Sequence, residues 1–99
     1  MGASLTITVE ARDDLNESYA WYEERRTGLG EEFLSAVDAC INAICRTPEL
    51  HAILRETHRR AFVRRFPFAV YYDYLNNMVA VWAVLHTARD SQEWQERLT

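Results

Sequence analysis

Lysine is absent from this 99-residue chain: all eleven cations are arginine. A GC-rich coding sequence would account for that bias, and the chemical consequence holds whatever its cause. No Schiff base and no lysine acid or base is available, and every cation is a planar donor fork that stays charged. Glycine (three) and proline (two) are also scarce. The sequence has no glycine-rich phosphate loop, no linker and no repeat. No apolar stretch approaches the ~20 residues that span a membrane. The start, "MGASLTITVEARDD", lacks the basic region and long apolar core of a signal peptide, so a cytoplasmic protein is expected. The only cysteines, Cys40 and Cys45, are five apart, about 140° around a helix, which suits neither a disulfide nor a zinc motif. No metal and no cofactor are expected.

What is present is a globular composition, 48% apolar, of the length of one domain, residues 1–99. A domain of this size buries roughly 60–70% of its unfolded surface, so its core is marginal and an apolar groove left for a partner would be economical. Residues 1–50 hold ten acids and four arginines, whereas residues 51–99 hold five acids and seven arginines. The acidic chain thus contains a basic stretch, "LRETHRRAFVRR" (54–65).

The pattern along the chain gives a strand, two helices, three strands and a tail. "LTITVE" (5–10) alternates as a strand does. From Ala11, helical spacing takes over with Leu15, Tyr19 and Tyr22, acids in the first turns, and Gly28 as the stop. Glu31 and Glu32 open a second helix whose core stripe is Phe33, Val37, Cys40, Ile41 and Ile44, ended by Thr47-Pro48. Residues 49–60 read as a loop and "AFVRRF" (61–66) as a strand broken by Pro67. "FAVYYDYL" (68–75) alternates, Asn76-Asn77 suits a two-residue hairpin, and "MVAVWAVL" (78–85) is apolar on both faces and so central. Alternation places Ala80, Trp82, Val84 and His86 on one face. Asp90 or Ser91 can cap a short last helix carrying Trp94 and Leu98.

Taken in order, "GLGEEF", Pro48, "RRFPFAVYY" and "VLHTARDSQEW" resemble the ParE/RelE superfamily of toxins from type II toxin–antitoxin systems, the first and last pieces being most similar to the ParE branch. The resemblance covers nearly the whole chain. It implies an α+β fold, β-α-α-β-β-β with a helical hairpin packed on a small antiparallel sheet and a short C-terminal helix. It also implies a cognate, ParD-like antitoxin whose C-terminal tail folds on binding, and DNA gyrase as the target, reached by binding rather than catalysis. The alternatives are a RelE-like, ribosome-dependent mRNA endonuclease, or a non-toxic relic that only binds antitoxin.

The residues bear on that choice. RNA cleavage needs a base, cations on the phosphate and an acid for the leaving oxygen. RelE-type members that cleave supply cations on the first strands after the helices, an arginine on the next, and an arginine and a tyrosine near the end. Here Arg64 and Arg65 match the first and Arg89 the late arginine. The strand arginine is replaced by Ala69, and the terminal tyrosine by Trp94, which transfers no proton. His86 and Arg89 are the catalytic candidates that remain. His86 reads first as a strand-end histidine bonded to backbone, and Arg89-Asp90 also as a local ion pair. The partner-binding candidates are Arg59, Arg60, Arg64, Arg65, Arg89 and Trp94. Acids in the antitoxin tail would pair with the first four, and its apolar residues would fill the hairpin groove. Direct nucleic-acid binding is not expected, because alternation splits Tyr72 and Tyr74 from Tyr71. The pairs Asp13-Asp14, Glu23-Glu24 and Glu31-Glu32 read as helix-start and solvated-face charges.

Overall fold

In the computed structural model, residues 2–88 and 90–98 are described. Strand β1 (Ser4–Ile7) leads into helices α1 (Val9–Arg25) and α2 (Leu29–Arg46). Strands β2 (Ala52–Arg55), β3 (His58–Phe62), β4 (Phe68–Leu75) and β5 (Met78–His86) follow, then helix α3 (Asp90–Leu98). The sheet order is β1-β5-β4-β3-β2. β5 is central, as its two apolar faces require.

Several expectations are corrected. The sheet is mixed rather than antiparallel, because β1 runs parallel to β5. Residues 49–60 contain a strand, β2, and the turn into β3, with Glu56 at φ 54°. The first strand stops at Ile7, because the Thr8 side chain accepts from the Ala11 N–H at 3.1 Å and caps α1 two residues before the expected start. Gly28, left-handed at φ 91°, stands at the entrance of α2, while α1 has already ended at Arg25. The expected cap at Asp90 or Ser91 rests on side chains outside the described residues, as does Arg89 entirely.

The helical hairpin covers one face of the sheet. Phe33, Val37, Ile41 and Ile44 of α2 are buried there with Phe68, Val70, Tyr72, Val79, Val81 and Val84. Tyr22, Phe33, Phe66 and Phe68 form an aromatic cluster with centroids 4.9–6.0 Å apart. Such pairs add about 0.5–1.5 kcal/mol each beyond area burial. On the other face a smaller cluster of Ala69, Tyr71, Ala83 and Leu85 is packed by Leu54, Trp82 and Trp94 of α3.

A bulge in β5 changes which side chains share a face. Tyr72 pairs with Val81 but Tyr71 pairs with Ala83, so Trp82 is the extra residue. Val81 and Val84 therefore face the hairpin, whereas Trp82, Ala83 and Leu85 face α3. The single face expected for Ala80, Trp82, Val84 and His86 does not exist. His86 does reach the hairpin side, its ring 5.2 Å from that of Phe68.

Candidate functional site

A groove of about 850 Å³ runs along α2. Its floor is the helix face of Ser35, Ala36, Ala39, Cys40 and Ala43, small residues at helical spacing, and its far wall comes from His51, Phe62, Arg64 and Arg65. Because α2 spends its large side chains on the core stripe, this flank is left shallow and apolar. Charges mark its ends. Arg65, held at φ 72°, reaches Glu32 at 3.0 Å, and Arg26 reaches the same carboxylate at 3.3 Å. The hydrogen bond from Arg65, then the charge of Arg26, hold the Glu32 carboxyl below its usual range. Arg46 and His51 lie on the lining as well. Burial, then the charge of Arg59, push the His51 imidazole down. The Cys40 thiol, also on the lining, is pushed by burial up to about 11 and is not a nucleophile at neutral pH.

The four arginines singled out in the sequence do not act as one patch. Arg59 is turned inward and donates to the carbonyls of Glu49 (3.0 Å) and His51 (2.8 Å), fixing the link between α2 and β2. The Arg60 guanidinium stands 5.0 Å from the Phe62 ring. Arg64 and Arg65 are exposed on the groove. Trp94 is packed into the smaller cluster with the Arg55 guanidinium 5.8 Å over its ring.

A second cleft, about 610 Å³, opens on the α1 side and is lined by Glu17, Ser18, Trp21, Tyr22, Pro67, Phe68, His86 and Ala88. The His86 Nδ1 accepts from the Ala88 N–H at 3.0 Å, the backbone bond of a strand-end histidine. Ala69, in the slot where cleaving relatives carry an arginine, is fully buried. Among the described residues, no group of three or more His, Cys, Asp or Glu can hold a metal ion, and no helix is long and apolar enough to cross a membrane.

Several working residues were not anticipated. Each adjacent pair holds a carboxylate that fixes part of the fold. Asp14 accepts from the Val84 N–H (2.9 Å) and from Arg97 (2.7 Å), Glu23 from the N–H groups of Gly28 and Gly30 (2.9 Å each), and Glu32 from two arginines. The solvated-face reading of the pairs is corrected on that point. The small-residue face of α2 was visible as Ser35, Ala36, Ala39 and Ala43, a spacing that signals close approach.

A family model described as the ParE toxin of the type II toxin–antitoxin system parDE matches residues 5–91. A solved structure described as "Chromosomal ParDE TA system from P. aeruginosa" matches with a TM-score of 0.75 at 15% identity, covering 85% of this chain and 95% of that chain. At that identity the likeness speaks for the fold. No curated protein sequence matches. The chain belongs to the ParE toxin family: it is the toxin component of a type II toxin–antitoxin system, and a cognate antitoxin is its partner.

Proposed function

We propose that the protein arrests growth by binding DNA gyrase rather than by cutting RNA, and that the tail of its antitoxin neutralises it by folding into the α2 groove. The observation that carries the target half is the filled sheet face. Two of the positions that supply an arginine and a tyrosine in cleaving relatives hold Ala69 and Trp94, and both are packed in the smaller apolar cluster. In this reading the cell should filament on induction and accumulate cleaved gyrase–DNA complexes. Codon-phased mRNA cuts with intact DNA would instead establish the endonuclease. His86→Gln, which removes the base but keeps a side chain that can donate a hydrogen bond, should weaken growth arrest far less than the loss of a catalytic base would.

The antitoxin half rests on the groove's chemistry. Its small apolar floor suits side chains at helical spacing, and Arg46, Arg64 and Arg65 suit acids at its margins. Rim ion pairs are worth ~1 kcal/mol or less each, so the apolar floor should dominate affinity. At roughly 0.5–1 M salt, where screening reaches within a few Å, association should slow while the complex stays assembled. Complete dissociation there would mean a mainly electrostatic interface.

A further inference from the structure

The α1-side cleft shares no lining residue with the α2 groove. Its walls are aromatic: Trp21 is 52% exposed, and Tyr22, Phe68 and His86 complete them. The Trp21 indole already holds a guanidinium, that of Arg25, 3.6 Å from the ring centroid, which is cation–π geometry. Beside it the charge is acidic. Glu17 on the lining, and Asp13 one turn earlier, pair with no cation among the described residues, while Asp14 and Glu23 in the same helix are consumed internally. Because the His86 Nδ1 accepts from backbone, the Nε2 of the neutral ring carries the proton and can donate. The β5 bulge fixes this arrangement, since without the extra residue His86 would turn to the opposite face.

We infer that this cleft is the surface through which the toxin engages its target, and that its occupant is a basic protein segment presenting an arginine beside an apolar residue. The inference rests on the reading of the protein as a toxin that acts by binding. A carboxylate that pairs with no cation among the described residues, next to a half-exposed indole, attracts a guanidinium and repels phosphate, so charge complementarity selects a basic polypeptide over nucleic acid. The Glu17 carboxylate takes the guanidinium, the exposed part of the Trp21 indole packs against the neighbouring apolar residue, and His86 Nε2 donates to a carbonyl of the segment. Antitoxin and target then occupy opposite flanks of the hairpin.

Trp21→Ala and Glu17→Arg test it, with Asp38→Arg as a control that makes the same charge change at an exposed α2 position lining neither site. Growth arrest on induction, trapped gyrase–DNA complexes, antitoxin affinity and self-association are measured on the full chain. Both cleft variants should lose at least about tenfold in arrest, with antitoxin affinity within about twofold of the parent and the control unchanged. Variants that arrest growth like the parent overturn the inference. So does loss of antitoxin affinity or of self-association in step with arrest, since the cleft then belongs to the antitoxin or to a second copy. A more toxic Glu17→Arg also overturns it by showing an acidic occupant. If the parent arrests growth without trapping gyrase and both variants lose arrest, gyrase falls and the cleft stands. If all three trap gyrase equally, gyrase stands and the cleft falls. A parent that does neither overturns both.

Discussion

Gly30 is the tightest point of the helical hairpin. A Cβ there would sit 2.8 Å from Tyr19 Cδ2 and Cε2 and 2.9 Å from Glu23 Oε1. Alanine should gain roughly 1 kcal/mol of helix propensity. The clash with a ring and with a carboxylate already fixed by two backbone N–H groups should outweigh it, typically by 1–3 kcal/mol as overpacking does. Gly30→Ala is therefore expected to lower Tm; an unchanged or higher Tm would mean that Tyr19 swings away freely. Cys40 gives a chemical check at the same scale. With its thiol pushed up to about 11, it should alkylate far more slowly at pH 8 in the folded protein than in urea.

At the scale of elements, α3 depends on one ion pair reaching across the molecule. Beyond Ile7 the edge of β5 has no β1 beside it, and Asp14 and Arg97 take over its backbone there. Asp14 accepts from the Val84 N–H, and Arg97 donates to the Trp82 carbonyl at 3.3 Å and to Asp14. The hydrogen bond that Arg97 donates to Asp14 raises the pKa of Arg97. The two side chains are 15% and 25% exposed, so the pair should be worth more than a surface bridge and less than a fully buried one. Asp14→Asn and Arg97→Met should each cost about 1–3 kcal/mol, be non-additive in a double-mutant cycle, and weaken the near-UV signal of Trp82 and Trp94. Additive losses would show that the two residues act separately.

The same elements mark what the sequence could disclose. The α2 stripe was legible because large apolar residues recur at helical spacing. The β4–β5 hairpin was legible because Asn76 and Asn77 both adopt positive φ, 53° and 58°. β2 was hidden because its four residues, Ala52–Arg55, are too few to show alternation and sit between the polar His51 and the turn residues Glu56 and Thr57. The bulge was hidden because alternation assumes no inserted residue. The partner of Asp14 lies 83 positions away, beyond any local pattern. Of the candidate site, His86 was legible as the polar end of an apolar strand, but the acidic aromatic wall it faces was not, because α1 supplies that wall.

For the whole molecule, stability should fall on both sides of neutrality through two side chains near the α2–β2 link. Tyr72, fully buried and donating to the Pro48 carbonyl at 2.6 Å, is pushed by burial up to about 12. Between pH 10 and about 12 the unfolded chain gives up a proton that the folded chain keeps, so stability drops by up to about 1.4 kcal/mol per pH unit. His51, pushed below its ordinary 6.5, works in the other direction. As pH falls below 6.5 the unfolded chain binds the proton first and stability is lost. His51→Gln should flatten the early acid limb of a urea-midpoint profile between pH 7.5 and 5.5, and leave the alkaline limb in place. An unchanged acid limb would assign it to carboxylates.

The parallel pairing of β1 with β5 has a consequence in time. Ser4 is matched with Met78, 74 positions later, and β5 alone lies beside β1 in the sheet. While the ribosome is still making the hairpin and the strands β2 to β4, the N-terminal strand has nothing to bond to and the sheet lacks the strand that joins it to β4. Such long-range closure is slow. A nascent chain therefore has no finished toxin fold until β5 has emerged, and through that interval the apolar stripe of α2 has no finished sheet to pack on.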